Sequence, residues 1–391
     1  MHRGLTDAAR RWGDRDFIRA GEQAWSFADV DGLSNAFARH LAGMGVGPGD
    51  RVAVMSSNRV EFVIAVAGIS KRGAAAVLLS PAWKALEVQH ALGLTEPVHA
   101  VADGEAVALL GARVDGGVTD LDDIGGLAAM SREALDDDTD EQAESVLVFS
   151  SGTTGLPKAV RHTHASMAHA VRHWQRALAL GPGDRFQVAT PPTHILGLLN
   201  LVTAAAAGAT IRLHARFDLD EVLRRIESDR ITLEMAVAPI ALAMANHPRL
   251  EEFDLSSLRY IMWGATPVTE SVARVVTDRT GVRWLPAYGA SELPVLACNP
   301  VERPDAWRLD SAGLPPAGVE LRVASLSTGE ALPAGEVGEI QARSPSVMAG
   351  YLPADANADA FADGWYRTGD VGWLEPEGWV HLTDRAKEMI K

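Results

Sequence analysis

The chain has 391 residues, of which 47% are hydrophobic and 22% charged, with a formal net charge of −15. This length exceeds what one compact core normally holds, so we predict two or three subdomains. The negative charge argues against a general nucleic-acid or anionic-membrane binder, but it is compatible with a local basic pocket for a nucleotide. The single cysteine, Cys298, excludes an intramolecular disulfide and a multi-thiolate metal site, and it fits a reducing cytoplasm.

The sequence has neither the pattern of a signal peptide nor that of a clear membrane span. The opening segment, MHRGLTDAARRWGDRDF, lacks an apolar core. The longest uncharged apolar stretch runs from Ile195 to Ile211, contains Asn200 and Thr203, and is marginal in length for a span. We interpret it as a buried helix followed by a strand. The expected location is therefore cytoplasmic, without integral membrane association.

Helical and strand patterns alternate from Thr6 to about Asp103. Helices are predicted in WSFADVDGLSNAFARHLAGMG and EFVIAVAGISKRG, and strands in DRVAVMS, AAAVLLS and VHAVAD. Such alternation predicts a largely parallel sheet flanked by helices. The glycines from Gly43 to Gly49 follow a helix and miss the dinucleotide-binding spacing, so we interpret them as a helix end and a turn.

The stretch SSGTTGLPKAV, from Ser150 to Val160, has the composition of a phosphate-binding loop. Glycine lets the backbone approach an anion, the hydroxyls donate hydrogen bonds, and Lys158 adds a mobile positive charge. The Walker spacing does not fit it. SVLVF before the loop and KAVRHTH after it both read as strands, so we predict a loop between two strands. A mobile Ser/Thr/Gly connector is the structural alternative. The charged segment before it, Ser131 to Ser145, is predicted to be a solvated linker.

The rest of the chain has two kinds of sequence pattern: helices alternating with strands, and then short strands alone. A helix predicted near residues 165–180 carries His169 and His173 on one face, but without a third ligand a zinc site is disfavoured. More helices and strands follow, including MAVAPI, LRYIMWG and VRWLPAYG. Beyond about Pro304, the short strand patterns VELRVAS, GEIQARS and WVHLTD predict a small antiparallel barrel or distorted sheet. The predicted fold class is α/β, with two doubly wound α/β subdomains and a small β-barrel subdomain.

Nine motifs in this order resemble those of the adenylate-forming superfamily, which includes acyl- and aryl-CoA synthetases, peptide-synthetase adenylation domains and firefly luciferase. They are FSSGTTGLPKAV, PPTHILG, GATP, YGASE, SAGLPPAGVELRV, GEVGEI, VMAGYL, WYRTGD and TDRAKEMIK. The resemblance covers essentially the whole chain and implies an AMP-binding N-terminal domain over residues 1–384. Its expected parts are an α/β subdomain at about 1–180, a second at 181–303 and a barrel at 304–383; residues 385–391 would be the hinge and the start of a C-terminal domain.

The resemblance implies ATP-dependent acid activation, in which a carboxylate attacks the α-phosphate of MgATP to give acyl-AMP and pyrophosphate, and CoA then forms the thioester. Lys158 resembles the clamp on the β- and γ-phosphates, Tyr288 the stacking face for adenine, and Ser291 the donor to the α-phosphate. Glu292 matches the carboxylate that holds Mg²⁺, and Asp370 the acceptor for the ribose hydroxyls. The other candidate nucleotide contacts are Ser150, Ser151, Gly152, Thr153, Thr154, Gly155, Gly264, Ala265, Thr266, Gly289, Ala290 and Arg385.

On the acid side, His194 resembles the position beside the substrate carboxylate and joins Lys158 and Glu292 as a predicted catalytic residue. PPTHILGLLN has no aspartate to bind an ammonium group, so an amino-acid substrate is disfavoured. The predicted acyl pocket is apolar, which favours a medium to long fatty acid, an aryl acid or a polycyclic carboxylate. Its lining residues are Ile195, Leu196, Leu199, Met235, Val237, Trp263, Gly264, Gly289 and Ala290.

Two departures from the family pattern affect these expectations. Ala159 stands where glycine is usual, a change we expect to be tolerated. The sequence stops at Lys391 within the hinge motif, so the C-terminal domain with its catalytic lysine is not included. We therefore predict a truncated enzyme with weak adenylation and no thioester formation.

The alternatives are an acyl-AMP ligase that loads a carrier protein, a luciferase-type enzyme and a non-catalytic nucleotide-binding protein. A hydrolase is disfavoured because no G-x-S-x-G motif occurs.

Overall fold

The computed structural model describes residues 1–150, 156–264 and 270–385. The helices are α1 (Arg3–Trp12), α2 (Phe27–Gly43), α3 (Val60–Lys71), α4 (Ala85–Thr95), α5 (Glu105–Gly111), α6 (His164–Leu178), α7 (Ile195–Ala207), α8 (Leu219–Asp229), α9 (Ala238–Ala245) and α10 (Glu270–Thr280). The strands are β1 (Asp16–Ala20), β2 (Gln23–Ser26), β3 (Arg51–Met55), β4 (Ala75–Leu78), β5 (His99–Ala102), β6 (Val118–Asp120), β7 (Glu144–Ser150), β8 (Lys158–Thr163), β9 (Arg185–Val188), β10 (Thr210–Leu213), β11 (Leu233–Met235), β12 (Tyr260–Trp263), β13 (Trp284–Tyr288), β14 (Ala297–Cys298), β15 (Glu320–Ala324), β16 (Gly338–Arg343), β17 (Gly350–Leu352), β18 (Phe361–Ala362), β19 (Trp365–Leu374) and β20 (Val380–Arg385).

The first sheet is mainly parallel, with the strand order β17-β8-β7-β4-β3-β5-β6. Strands β4, β3, β5 and β6 pair in parallel, and β7 pairs parallel with β4. Strands β4 and β5 are buried throughout, which is typical of parallel strands covered on both faces. The predicted α/β alternation in this region is therefore confirmed.

The second sheet has the order β14-β13-β12-β11-β9-β10-β1-β2. Strands β13, β12, β11, β9, β10 and β1 are parallel, while β2 and β14 are antiparallel to their neighbours. Strand β1, from the start of the chain, pairs with β10, with Ile18 opposite Ile211. A strand from the segment expected in the first subdomain thus belongs to the sheet of the second. Long-range pairing, which local periodicity does not encode, decides this membership.

The third sheet is antiparallel, with the order β15-β16-β19-β18, and β20 also pairs with β19, on the side away from β16. Together the three sheets confirm the predicted fold class. Strand β17 comes from the segment expected in the barrel, yet it pairs with β8 in the first sheet, with Tyr351 opposite Val160. The subdomain boundaries stay a prediction. Each α/β sheet contains a strand from a segment that was assigned to another subdomain.

The main core lies among the helices that pack between the two α/β sheets. Helix α2 packs on α3, and α7 contacts both α1 and α6. Phe17 and Phe27 are fully buried there and stack with ring centroids 4.7 Å apart. The apolar stretch from Ile195 to Ile211 forms α7 and enters β10, so the predicted buried helix followed by a strand is confirmed. In the described residues, no helix is both long enough and apolar enough to cross a membrane.

Two connecting segments follow the sequence predictions. Helix α2 ends at Gly43, and Gly45 and Gly49 adopt positive φ angles of 85° and 82°, as a helix end and turn require. Residues 131–140 of the predicted linker have no regular secondary structure and are mostly exposed, whereas its last two residues, Glu144 and Ser145, already belong to β7. The guanidinium of Arg3 fastens this linker to α1 through Asp137, with Nε 2.6 Å from Oδ2.

Candidate active site

Predicted site residues lie where parallel strands of the second sheet end. Met235 is the last residue of β11, Trp263 of β12 and Tyr288 of β13. The three strands are neighbours, with Met235 opposite Met262 and Trp263 opposite Pro286. Because the carboxyl ends of parallel strands meet at one edge of a sheet, the fold brings these side chains together. Ligands of open α/β sheets bind at this edge.

Tyr288 and Asp370 are in direct contact. The Tyr288 hydroxyl donates a hydrogen bond of 2.5 Å to Oδ2 of Asp370, which is only 7% exposed. The Asp370 amide donates to Oγ1 of Thr368 at 3.0 Å, which fixes the backbone of the WYRTGD motif. The backbone of Arg385, at the end of β20, pairs with Asp370, while the Arg385 side chain lies outside the described part of the chain. The predicted adenine and ribose contacts are therefore adjacent.

Glu292 lies on a tight turn that follows Tyr288. Ala290 and Leu293 exchange backbone hydrogen bonds of 3.0 and 3.2 Å, so Ser291 and Glu292 form the tip of the turn. At Gly289 a Cβ atom would lie 2.1 Å from the carbonyl oxygen of Pro294. Only glycine fits this approach. Glu292 itself is buried, at 8% exposure.

Two tyrosines, Tyr351 and Tyr366, lie close to the Glu292 carboxylate. The Tyr351 hydroxyl donates to Oε1 of Glu292 at 2.8 Å, and the Lys158 ammonium lies 5.2 Å from the centroid of the Tyr351 ring, within the range of a cation–π contact. Tyr366 shares a side-chain hydrogen bond with Tyr351. Burial, and after it the nearby Glu292 carboxylate, raises the pKa of Tyr366 well above its usual value. Tyr288, Tyr351 and Tyr366 are three of the four tyrosines in the chain, so this residue type is concentrated at the site.

The predicted phosphate loop joins two antiparallel strands, as expected. Ser150 at the end of β7 lies opposite Lys158 at the start of β8. Residues 151–155, and with them the predicted contacts Ser151, Gly152, Thr153, Thr154 and Gly155, lie outside the described residues, as do Ala265 and Thr266. His90 on α4 supports the end of the loop, because its Nε2 donates to the carbonyl oxygen of Pro157 at 3.0 Å. The sequence analysis did not single out His90.

His194 is the N-cap residue immediately before helix α7 and is exposed. Three residues later, a Cβ atom on Gly197 would lie 2.1 Å from the carbonyl oxygen of Pro191. This contact folds the loop tightly against the first turn of the helix. The predicted pocket residues Ile195 and Leu199 are buried on this helix, and Leu196 is half-buried.

The other predicted pocket residues are mostly buried and packed. Trp263 is 8% exposed and meets the ring of Trp284 edge to face, with centroids 6.1 Å apart. The Asn200 amide donates to Sδ of Met235 at 3.1 Å, which leaves this buried amide with a weak acceptor. Val237 precedes α9 and is half-buried. Gly264 is buried next to Trp263, and Gly289 and Ala290 are half-buried.

His162 was missed by the sequence analysis, as were the roles of Tyr351 and Tyr366. Its ring is fully buried, and Nε2 lies 2.8 Å from the carbonyl oxygen of Ser291. The alternating pattern of KAVRHTH was the available signal, because in a strand it puts Lys158 and His162 on the same face.

Few of the described side chains near the site could bind a metal ion. No group of three or more His, Cys, Asp or Glu residues that could hold a metal occurs within residues 1–150, 156–264 and 270–385. His169 and His173 have ring centroids 6.4 Å apart, and Nδ1 of His173 bonds Oγ of Ser346 at 3.3 Å. A single carboxylate such as Glu292 fits Mg²⁺, which binds through one or two carboxylates and completes its shell with phosphate oxygens and water.

Comparison with known proteins agrees with this geometry. The model of the family described as AMP-binding enzyme matches residues 5–352. A feruloyl-CoA synthase from Amycolatopsis sp is 33% identical over 385 residues, which are 95% of this chain and 76% of that protein. Among solved structures, ATP-bound MatB from Rhodopseudomonas palustris is 25% identical with a TM-score of 0.90, and the match covers 99% of this chain and 79% of that one. The inhibitor-bound N-terminal domain of FACL13 from Mycobacterium tuberculosis is 25% identical with a TM-score of 0.90, over 98% and 99% of the two chains.

The chain therefore belongs to the AMP-binding enzyme family, as its motifs indicated. Its relatives in this comparison are acid–CoA ligases, which supports an AMP-forming ligase activity in general terms.

Proposed function

We propose that the protein uses ATP to activate a bulky hydrophobic carboxylic acid, forming acyl-AMP and pyrophosphate, and that the acyl group is then transferred to CoA. One observation carries this proposal. Residues from four separate motifs meet at one site: Tyr288 contacts Asp370, and Tyr351 links Glu292 to Lys158.

The nucleotide would be held along this row of residues. The Tyr288 ring offers a face for adenine, and the buried carboxylate of Asp370 offers two oxygens to the ribose hydroxyls. The turn at Ser291 and Glu292 follows directly, where the α-phosphate would lie. Lys158 and the hydroxyls of the loop from Ser150 would hold the β- and γ-phosphates. This order matches the order of groups along ATP.

The reaction needs positioning and charge neutralisation more than a protein nucleophile. A carboxylate oxygen of the acid attacks the α-phosphorus, and the bond from that phosphorus to the bridging oxygen breaks to release pyrophosphate. Lys158 would bind the pyrophosphate as negative charge develops on it. Glu292 would hold Mg²⁺, which neutralises part of the phosphate charge when bound. His194, at the start of α7, would face the acid's carboxylate.

The acid would occupy the apolar pocket behind the nucleotide. Trp263 and Met235 form an apolar wall at the ends of β12 and β11, and Leu199 lies buried on α7. The hydrocarbon part of the acid gains its affinity from burial against such side chains. Because one methylene changes discrimination by only about 1–3 kcal/mol, the pocket supports a class of large apolar acids more than a single compound.

A pyrophosphate-release screen tests this function. The panel should contain acetate, propionate, medium- and long-chain fatty acids, aryl acids such as ferulate, and polycyclic carboxylates. Large apolar acids are expected to give the highest rates, and Trp263→Ala should shift the preference towards larger members. Asp370→Ala is the inactive control. Pyrophosphate release with short acids alone would contradict the proposal.

A further inference from the structure

His162 is a buried histidine that the proposed reaction does not use directly. It lies on β8, four residues after Lys158, with 0% exposure. Nε2 is 2.8 Å from the carbonyl oxygen of Ser291, and Nδ1 is 3.2 Å from the hydroxyl oxygen of Ser166. A carbonyl oxygen only accepts hydrogen bonds, so Nε2 carries the proton and Nδ1 is the unprotonated nitrogen that faces the Ser166 hydroxyl. Burial lowers the pKa of His162 to about 4, which keeps the ring neutral and this tautomer in place.

The bond from His162 ends on the residue before Glu292. Ser291 and Glu292 form the tip of their turn, and their two carbonyl oxygens are bound by groups outside it. His162 donates to the first, and the Met348 amide donates to the second at 2.8 Å. The Tyr351 hydroxyl holds one oxygen of the Glu292 carboxylate. Both the backbone and the side chain of Glu292 are therefore fixed from outside the turn.

These supports converge on a single strand, β8. The strand carries Lys158 and His162, and β17 pairs with it, with Tyr351 opposite Val160. The amide of Ala349 also donates to a β8 carbonyl oxygen, at 2.7 Å. The strand that presents the phosphate-binding lysine thus also sets the place of the acidic turn. A buried carbonyl that loses its donor would have to find another partner, so the turn would move.

We propose that His162 is a positioning residue for the Mg²⁺-binding carboxylate, acting through the Ser291 carbonyl to hold Glu292 at a set distance from Lys158. This rests on the proposed function, in which Glu292 holds Mg²⁺. Removal of the Nε2 donor weakens binding of MgATP much more than binding of AMP. AMP keeps the adenine and ribose contacts at Tyr288 and Asp370, and it lacks the β- and γ-phosphates and the Mg²⁺ that Glu292 would hold.

Two amide substitutions separate positioning from simple loss of a buried side chain. His162→Gln can present an amide nitrogen near the place of Nε2 and keep the bond to Ser291. His162→Asn reaches only the place of Nδ1, so it keeps the contact with Ser166 and loses the one with Ser291. His99 is the control, because its ring is 2% exposed and bonds a backbone carbonyl through Nδ1, Gly116 O at 2.8 Å, and a hydroxyl through Nε2, Thr119 Oγ1 at 2.9 Å. Since the carbonyl partner is on Nδ1 here, His99→Gln is the change that loses the carbonyl contact, and it reports the general effect of such a loss away from the site.

The experiment measures affinities for MgATP and for AMP by calorimetry, with thermal unfolding recorded for each variant. We expect His162→Asn to lower MgATP affinity about tenfold and AMP affinity less than about twofold. His162→Gln should keep MgATP affinity within about threefold of the parent chain. His99→Gln should change neither affinity, whatever it does to the unfolding temperature.

The outcomes separate this proposal from the function on which it rests. Equal MgATP affinity in His162→Asn and His162→Gln, or a parallel loss of MgATP and AMP binding, would overturn the positioning role. Glu292→Ala tests the function in the same assay, because it should remove the Mg²⁺-dependent part of ATP affinity. If Glu292→Ala has no effect, the metal assignment fails, and the role of His162 fails with it. If Glu292→Ala weakens MgATP binding and His162→Asn does not, only the role of His162 fails.

Discussion

Tyr288 and Asp370 lie 82 positions apart in the sequence and are joined by a 2.5 Å hydrogen bond from hydroxyl to carboxylate. Tyr288 ends a strand of the second sheet, and Asp370 belongs to the antiparallel third sheet. The bond links the proposed adenine contact with the proposed ribose contact and orients both before a nucleotide arrives. Charge-assisted bonds of this kind are among the stronger ones in proteins.

Removing the hydroxyl alone should weaken nucleotide binding moderately. Tyr288→Phe keeps the ring for stacking and frees the Asp370 carboxylate to rotate. We expect AMP affinity to fall about three- to tenfold, in line with one hydrogen bond of roughly 0.5–1.5 kcal/mol. Tyr288→Ala also removes the ring and should cost more. Calorimetric titration with AMP measures both, and unchanged affinity in Tyr288→Phe would contradict the preorganising role.

Lys158 should contribute to the affinity for ATP but not to the affinity for AMP. Its ammonium lies over the Tyr351 ring, at the start of β8. Lys158→Ala removes the charge that would face the β- and γ-phosphates, so we expect ATP affinity to fall about tenfold and AMP affinity to stay the same. Lys84→Ala changes an exposed lysine before α4 and is the charge-matched control. An equal loss of AMP affinity in Lys158→Ala would place this lysine elsewhere.

Gly197 should be intolerant of any side chain. An added Cβ would approach the Pro191 carbonyl to 2.1 Å, so Gly197→Ala must shift the loop that ends at His194. We expect a loss of roughly 1–3 kcal/mol in unfolding free energy and a lower rate with the preferred acid. Gly43→Ala is the control, because open space surrounds that position at the end of α2. If the two variants have equal stability, the close approach has no energetic consequence.

The buried carboxyl group of Glu234 should lower the stability of the fold as pH rises. Glu234 on β11 is fully buried, and burial raises the pKa of its side chain to about 8, despite a 2.7 Å hydrogen bond from Gln187. In the unfolded chain this group ionises near its ordinary pKa of 4.5. Stability from the neutral form is thus fully present below that pH and is lost as pH rises towards 8. Relative to Glu234→Gln, the parent chain should lose a few kcal/mol, about 1.4 per pH unit at most, across this range.

Denaturant titrations at several pH values check this dependence. Glu377→Gln, at an exposed position, should leave the pH profile unchanged. Parallel profiles for the parent chain and Glu234→Gln between pH 5 and 8 would contradict the raised pKa.

Stability at acidic pH should be limited in part by His214. This histidine is linked to Glu234 through Gln187. Its Nε2 donates to Oε1 of Gln187 at 3.0 Å, and burial lowers the pKa of its ring to about 4. The unfolded chain takes up this proton near pH 6.5, so the stability contribution is present above that pH and is lost as pH falls towards 4. His214→Gln keeps a donor and removes the titration. Its unfolding free energy should fall less steeply between pH 6.5 and 4, by up to about 3 kcal/mol over the range. A slope as steep as that of the parent chain would disprove this role.

Much of the candidate site could be predicted because its functional side chains lie in short contiguous motifs. The run from Ser150 to Val160 carries its glycines, hydroxyls and lysine within one loop, and local alternation on both sides predicted the strands that hold it. Tyr288 and Glu292 lie in one short motif at a strand end. These features depend on neighbouring residues alone, so pattern and residue type were sufficient to find them.

The sequence by itself predicted the α/β alternation and the family, and it supplied the candidate residues for binding the nucleotide. Tertiary structure decided that β1 joins the second sheet and β17 the first, and that Tyr351 and His162 support Glu292. The reason is physical. Periodicity and turn chemistry report backbone preferences over a few residues, whereas the Tyr351 bond to Glu292 spans 59 positions and that of His162 to Ser291 spans 129. Such bonds form only after packed sheets have brought distant strands together.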